Sequence, residues 1–204
     1  AAGDLDSPIE FTNYEDCVGR ITKGMLTFRD AAVEQKKQAD AQAEVVRVLS
    51  NKKDAKVLER AERLGVNAAS FTKEELFSEN GVLKILKKLK PDVIVLAGFL
   101  LKFPEIILKE FPNKVINIHP ALLPKYGGKG MYGNYVHEAV INNKEAETGI
   151  TIHYVNENYD EGAIISQKKV TLSKNETPET VAEKVHILEY EWFPKIIEEV
   201  LRNG

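Results

Sequence analysis

From residue 44 onward, short apolar runs alternate with longer helical patterns, and no other feature constrains the fold as tightly. The alternation is the signature of a parallel sheet crossed by helices, the βαβ unit. Val45–Leu49 is a β-branched run closed by Ser50 and Asn51. Asp54 is then expected to cap a helix that runs through Leu64 and stops at Gly65. Val82, Leu83, Leu86 and Leu89 recur at helical spacing up to Lys90, Pro91 and Asp92 break the pattern, and Val93–Ala97 reads as a fully buried strand. Pro104 suits the first turn of a helix reaching about Phe111, and Lys114–Ile118 reads as the next strand. Pro120–Gly133, rich in glycine and proline, reads as a loop. Tyr135–Asn142 is expected to be helical, and Gly149–Val155 and Ala163–Leu172 to be strands. Thr177 is expected to cap a last helix, with Pro178 at its first position and Val181, Val185, Leu188, Trp192 and Ile196 on its apolar face.

A chain of 204 residues suits one domain, so residues 1–204 are expected to form a single α/β unit. Hydrophobic residues make up 43% and charged residues 29%, which excludes a wholly disordered chain. The net charge of −3 supplies no broad basic field, so nucleic acid is not expected as a partner. Cys17, the one cysteine, has no partner for an internal disulfide, and a cytoplasmic location is expected. The longest apolar run, Val93–Leu101, falls far short of the roughly 20 residues of a spanning helix, so no membrane partner is expected. Acidic residues at the start of the chain do not suit an export signal.

The sharpest chemical signal is Asn117-Ile118-His119-Pro120 at the end of a predicted strand. Strand side chains alternate, so Asn117 and His119 share one face. They lie at the carboxyl end of a parallel strand, where open α/β sheets place their ligand crevice. An amide donor beside an imidazole suits oxyanion stabilisation and proton movement in acyl transfer. The plainer reading is an Asn that turns the chain and a packed His. The second signal, Asn158–Gly162, is a turn carrying paired acids, whose carboxylate would hold His119 charged and oriented. Such a turn is also ordinary loop chemistry. His137 and His186 suit solvated or capping roles, His153 suits strand packing, and Glu189 suits a solvated helix edge. No Cys/His spacing implies a metal.

Taken in order and spacing, Ala97-Gly98-Phe99, Asn117–Tyr126, Thr148–Val155 and Asp160–Ile165 resemble the phosphoribosylglycinamide formyltransferases, a folate-dependent family. The resemblance implies a Rossmann-like α/β fold: an open, mostly parallel twisted sheet with helices on both faces and antiparallel strands near its C-terminal part. It implies transfer of a formyl group from 10-formyltetrahydrofolate to the amine of phosphoribosylglycinamide, in purine synthesis. Asn117, His119 and Asp160 match the family's catalytic trio, with protonated His119 and Asn117 on the oxyanion and Asp160 keeping His119 charged. Leu100, Leu101, Lys102 and Phe103, together with Asn117 and the loop Asn156, Glu157, Asn158, Tyr159 and Asp160, match its folate contacts. His186, Ile187, Leu188 and Glu189 match its substrate contacts. The family occurs as monomers and homodimers. The loop Gly127–Gly133 looks like a longer form found in one branch.

Residues 1–43 depart from the family pattern, which opens with an apolar strand and a Gly-Ser-Gly-rich loop holding the substrate phosphate. Around the expected turn, Arg20–Gly24, only Gly19 and Gly24 are glycines. Two alternatives follow from that departure or from the shared motif: a folate-binding relative without turnover, and a 10-formyltetrahydrofolate hydrolase.

Overall fold

The structure, a computed structural model, describes residues 43–203; the expected phosphate-binding segment before residue 43 lies outside them. The first unit is strand β1 (Val48–Ser50), helix α1 (Lys56–Arg63) and strand β2 (Ala68–Ser70), with β1 and β2 parallel. Val48, Ala55, Val57 and Ala61 form its small core. Asp54 does not cap α1. Burial of Ala55 makes it the N-cap residue, Lys52–Asp54 turn in solvent before it, and no side chain closes the helix start. Gly65, at φ +66°, then ends the helix as the sequence suggests.

After β2 come the short helix α2 (Lys73–Phe77) and α3 (Val82–Leu89). Thr72 and Glu75 close α2 with a reciprocal capping box, Glu75 N–H on Thr72 Oγ1 at 3.2 Å and Thr72 N–H on Glu75 Oε2 at 2.7 Å. Strand β3 (Ile94–Leu96), helix α4 (Glu105–Glu110) and strand β4 (Val115–His119) make the second parallel βαβ unit. Only Leu96 of β3 is buried, so the fully buried strand expected at Val93–Ala97 is shorter and half-covered. Helix α5 (Asn134–Asn142) leads into β5 (Glu147–Tyr154), which runs antiparallel to β4, and β6 (Ile164–Thr171) pairs antiparallel with β5. The long helix α6 (Pro178–Asn203) closes the described chain, with Thr180 N–H on the capping Thr177 hydroxyl. Among the described residues the strands thus form a parallel pair, β1-β2, and a mixed sheet, β3-β4-β5-β6.

The sheet has two chemically different faces. Ile116 and Ile118 of β4 and Ile150 and Ile152 of β5 pack against Val181, Val185, Phe193 and Ile196 of α6. Val115, one residue out of phase, packs with Leu86, Leu96, Phe103, Ile107 and Phe111 on the other side. The period of 2 therefore turns Asn117 and His119 of β4, and Thr151 and His153 of β5, away from α6. Register completes the grouping, since Asn117 lies opposite His153 and His119 opposite Thr151.

Candidate active site

His119 is 4% exposed and His153 2%, yet both rings are fully engaged in polar contacts. His119 Nε2 lies 2.7 Å from the Tyr126 carbonyl, which only accepts, so Nε2 carries the hydrogen. Its Nδ1 faces Asp160 Oδ2 at 3.5 Å. His153 Nδ1 donates to the Tyr154 carbonyl at 2.8 Å. In the neutral ring this leaves Nε2 to accept an amide hydrogen from Asn117 Nδ2 at 3.2 Å, and the amide keeps its second N–H for another acceptor. Asp160 Oδ1 stands 3.6 Å from His153 Nε2, so one carboxylate sits between two imidazoles and the Asn117 amide adjoins them.

Local sequence explains how Asp160 comes to be there. The Asn156 side chain accepts the Asn158 N–H at 2.9 Å, and the Asn158 amide donates to Glu161 at 2.8 Å, so the turn folds on itself. A Cβ at Gly162 would meet the Tyr154 carbonyl at 1.7 Å; glycine lets the two arms close. Asp160 itself takes φ +58°, as does Tyr126. Left-handed backbone costs an L-residue about 1–2 kcal/mol, and both instances present a group to His119. The glycine-rich loop contributes directly: Gly128 N–H donates to Asp160 Oδ2 at 2.9 Å, and a Cβ at Gly127 would press on Asp160 Cβ at 3.2 Å. Below the site Thr151 ties down the chain after His119, its hydroxyl donating to the Ala121 carbonyl at 2.6 Å and accepting the Leu123 N–H at 3.0 Å.

Charge is set by competition between burial and partners. Burial depresses the His119 pKa more than Asp160 and the Tyr126 carbonyl raise it, so the resting ring is neutral at neutral pH. Asp160 acts in the expected direction, raising the His119 pKa, but burial outweighs it. Burial also works to raise the Asp160 pKa, but the His153 and His119 rings in their protonated forms and the Gly128 N–H outweigh it, and the carboxyl titrates below the usual aspartate value. The site thus holds an ionised acceptor facing the open nitrogen of a neutral imidazole.

Other expected residues fall in distinct places. Leu100 is 53% exposed just past β3, Leu101 is half-buried and Lys102 exposed, whereas Phe103 is buried, its ring edge-on to Phe99 at 5.7 Å. Asn156, Glu157 and Asn158 are exposed, and Tyr159 is half-covered beside Asp160. His186, Ile187, Leu188 and Glu189 lie on α6, and none of the hydrogen bonds above reaches them. Glu189 is buried rather than a solvated edge, because the α6 stripe widens to include it and Phe193. His137 is also buried within α5, not solvated. His153, read from the sequence as packing, is the residue that reading missed. Its signal was the shared parity of Thr151 and His153, opposite to Ile150 and Ile152. Among the described residues no group of three or more His, Cys, Asp or Glu is placed to hold a metal, and no helix is long and apolar enough to cross a membrane.

An α/β sheet carrying an amide, an imidazole and a carboxylate at the carboxyl end of a parallel strand has the groups an acyl-group transferase needs. The chain belongs to the formyl transferase family, whose pattern matches residues 20–197. It is 38% identical over 159 residues to the chloroplastic phosphoribosylglycinamide formyltransferase of Arabidopsis thaliana, covering 76% of this chain and 54% of that protein. It is 31% identical to phosphoribosylglycinamide formyltransferase of Bacillus subtilis, covering 84% and 88% respectively. Among solved structures, glycinamide ribonucleotide transformylase 1 from Geobacillus kaustophilus superposes with a TM-score of 0.72 at 32% identity, over 86% of this chain and 93% of that one.

Proposed function

We propose that the chain transfers the formyl group of 10-formyltetrahydrofolate to the primary amine of phosphoribosylglycinamide. The observation that carries this reading is the Asp160 carboxylate set between His119 and His153. Family membership and the names of the relatives support the choice of donor and acceptor. The donor brings an activated formyl carbon and a nitrogen leaving group. Leu100, an apolar side chain exposed to water just after β3, suits contact with a flat heterocycle.

The protein's groups act in sequence. The second Nδ2–H of Asn117, aimed by His153, donates to the oxyanion that forms as the amine attacks the formyl carbon. Neutral His119 takes at Nδ1 the proton the attacking nitrogen sheds, and Asp160 stabilises the resulting imidazolium across 3.5 Å. His119 then returns that proton to the departing nitrogen, which breaks the bond to the formyl carbon. The arrangement favours the charge where it develops rather than at rest. His186–Glu189 on α6 serve the acceptor.

The test is formyl release from the donor with and without phosphoribosylglycinamide. Release that requires the acceptor and yields formylated product is the expected result. Equal release without acceptor would mean a hydrolase, and donor binding without any release would mean a relative that has lost turnover.

A further inference from the structure

The loop after β4 reaches His119 through one carbonyl, that of Tyr126, at 2.7 Å from Nε2. That contact decides which nitrogen carries hydrogen, and so which is open towards Asp160. The carbonyl is presented by a residue in the left-handed region, a conformation that needs outside support. Support comes from the other end of the same residue. Tyr126 Oη donates to Glu145 Oε1 at 2.9 Å, and Lys125 Nζ reaches the same oxygen at 2.8 Å. Glu145 is itself fixed, its N–H on the Val140 carbonyl at 3.2 Å directly after α5. Val136 and Val140 of α5 are fully buried with Ala121, and Tyr126 packs on that cluster. A continuous path of bonds runs from the end of α5 through Glu145 and Tyr126 to His119.

We propose that Glu145, acting through the Tyr126 phenol, is a positioning residue that holds the Tyr126 carbonyl on His119 Nε2 and thereby leaves Nδ1 as the proton-accepting nitrogen. The assignment rests on the acid–base role given to His119 above. The phenol carries the effect and the ammonium does not, since the Lys125 side chain is 66% exposed and surface pairs contribute little. Partial burial and then Glu145 push the Tyr126 phenol up to about 12, so the phenol remains a donor throughout the working range. The groups facing this path are Lys125 at Glu145, and Asp160 and His153 at His119.

Four variants separate the roles: Tyr126→Phe, Glu145→Ala, Glu145→Gln and Lys125→Met. The first readout is the nitrogen NMR spectrum of the His119 ring in the free protein, which reports tautomer and titration without reference to activity. The wild type, Glu145→Gln, whose amide oxygen still accepts from the phenol, and Lys125→Met are expected to show one Nε2–H tautomer. Tyr126→Phe and Glu145→Ala are expected to show mixed tautomers and a lowered His119 pKa, because the carbonyl contact raises it. The second readout is turnover, expected to fall about tenfold in those two with KM nearly unchanged, less than the 10²–10⁴ of losing the base itself. A single unchanged tautomer in Tyr126→Phe and Glu145→Ala would overturn the proposal, as would a loss of Tm with the ring spectrum unaltered. Tyr126→Phe removes one oxygen and decides the matter if Glu145→Ala does not fold. A wild type that transfers no formyl group would sink the functional reading, while the ring spectra would still judge the positioning role.

Discussion

His119 shows how a buried site stores chemical potential. Burial favours its neutral form, and a carboxylate waits on the side where the proton will arrive. Asp160→Asn removes the main charge that raises the His119 pKa, so NMR titration should find that pKa lower still; an upward shift would contradict that balance of burial and charge. Gly127 holds Asp160 in place by what it lacks. A Cβ there would meet Leu123 Cδ2 at 2.5 Å and Asp160 Cβ at 3.2 Å, so Gly127→Ala displaces Asp160 and should lower kcat about tenfold or more, measured in steady-state assays. Strand parity and a turn with acids drew attention to Asn117, His119 and Asp160, but plain packing and turn readings stood beside them until the family resemblance matched the three together. His153 was not, because its partner Asn117 is 36 residues away and only cross-strand register joins them.

Elements were legible where periodicity was long. Helix α6 announces itself by Thr177-Pro178 and a five-residue apolar stripe, and it forms over Pro178–Asn203. The core residue Ile196 closes that stripe against the sheet, so Ile196→Ala should cost about 2–5 kcal/mol in urea unfolding while leaving kcat largely intact, since Ile196 itself packs on the sheet face turned away from His119. Short elements escaped. Strand β2 is Ala68-Ala69-Ser70, with no β-branched residue, and pairing with β1 rather than propensity makes it a strand. Helix α2 spans five residues, too few for periodicity, although Thr72 and Glu75 spell its capping box. At α1 the apparent cap Asp54 lost to Ala55, because burying a methyl group placed the helix start one residue later.

For the whole molecule, the βαβ alternation foretold the α/β class, and the antiparallel addition of β5 and β6 came from the family resemblance. Titration of the site feeds into global stability. As pH falls below 6.5, the unfolded chain protonates His119 while the folded chain resists, so stability drops until the lower folded pKa is passed. The Asp160 contribution is complete above 3.8 and is lost as pH falls through its depressed folded pKa. Denaturant midpoints measured against pH should fall in both windows, and His119→Gln should remove the first; a midpoint that rises on acidification through the histidine range would contradict the buried neutral ring.

Acceptor-dependent formyl transfer by His119→Ala beside the wild type, with donor binding measured in parallel, tests directly whether His119 moves the proton. The expected rate is lower by about 10²–10⁴, with donor affinity within a few-fold of wild type. A variant that turns over at the wild-type rate would show that the proton moves elsewhere and that the Asn117, His119 and Asp160 site is not where the chemistry occurs.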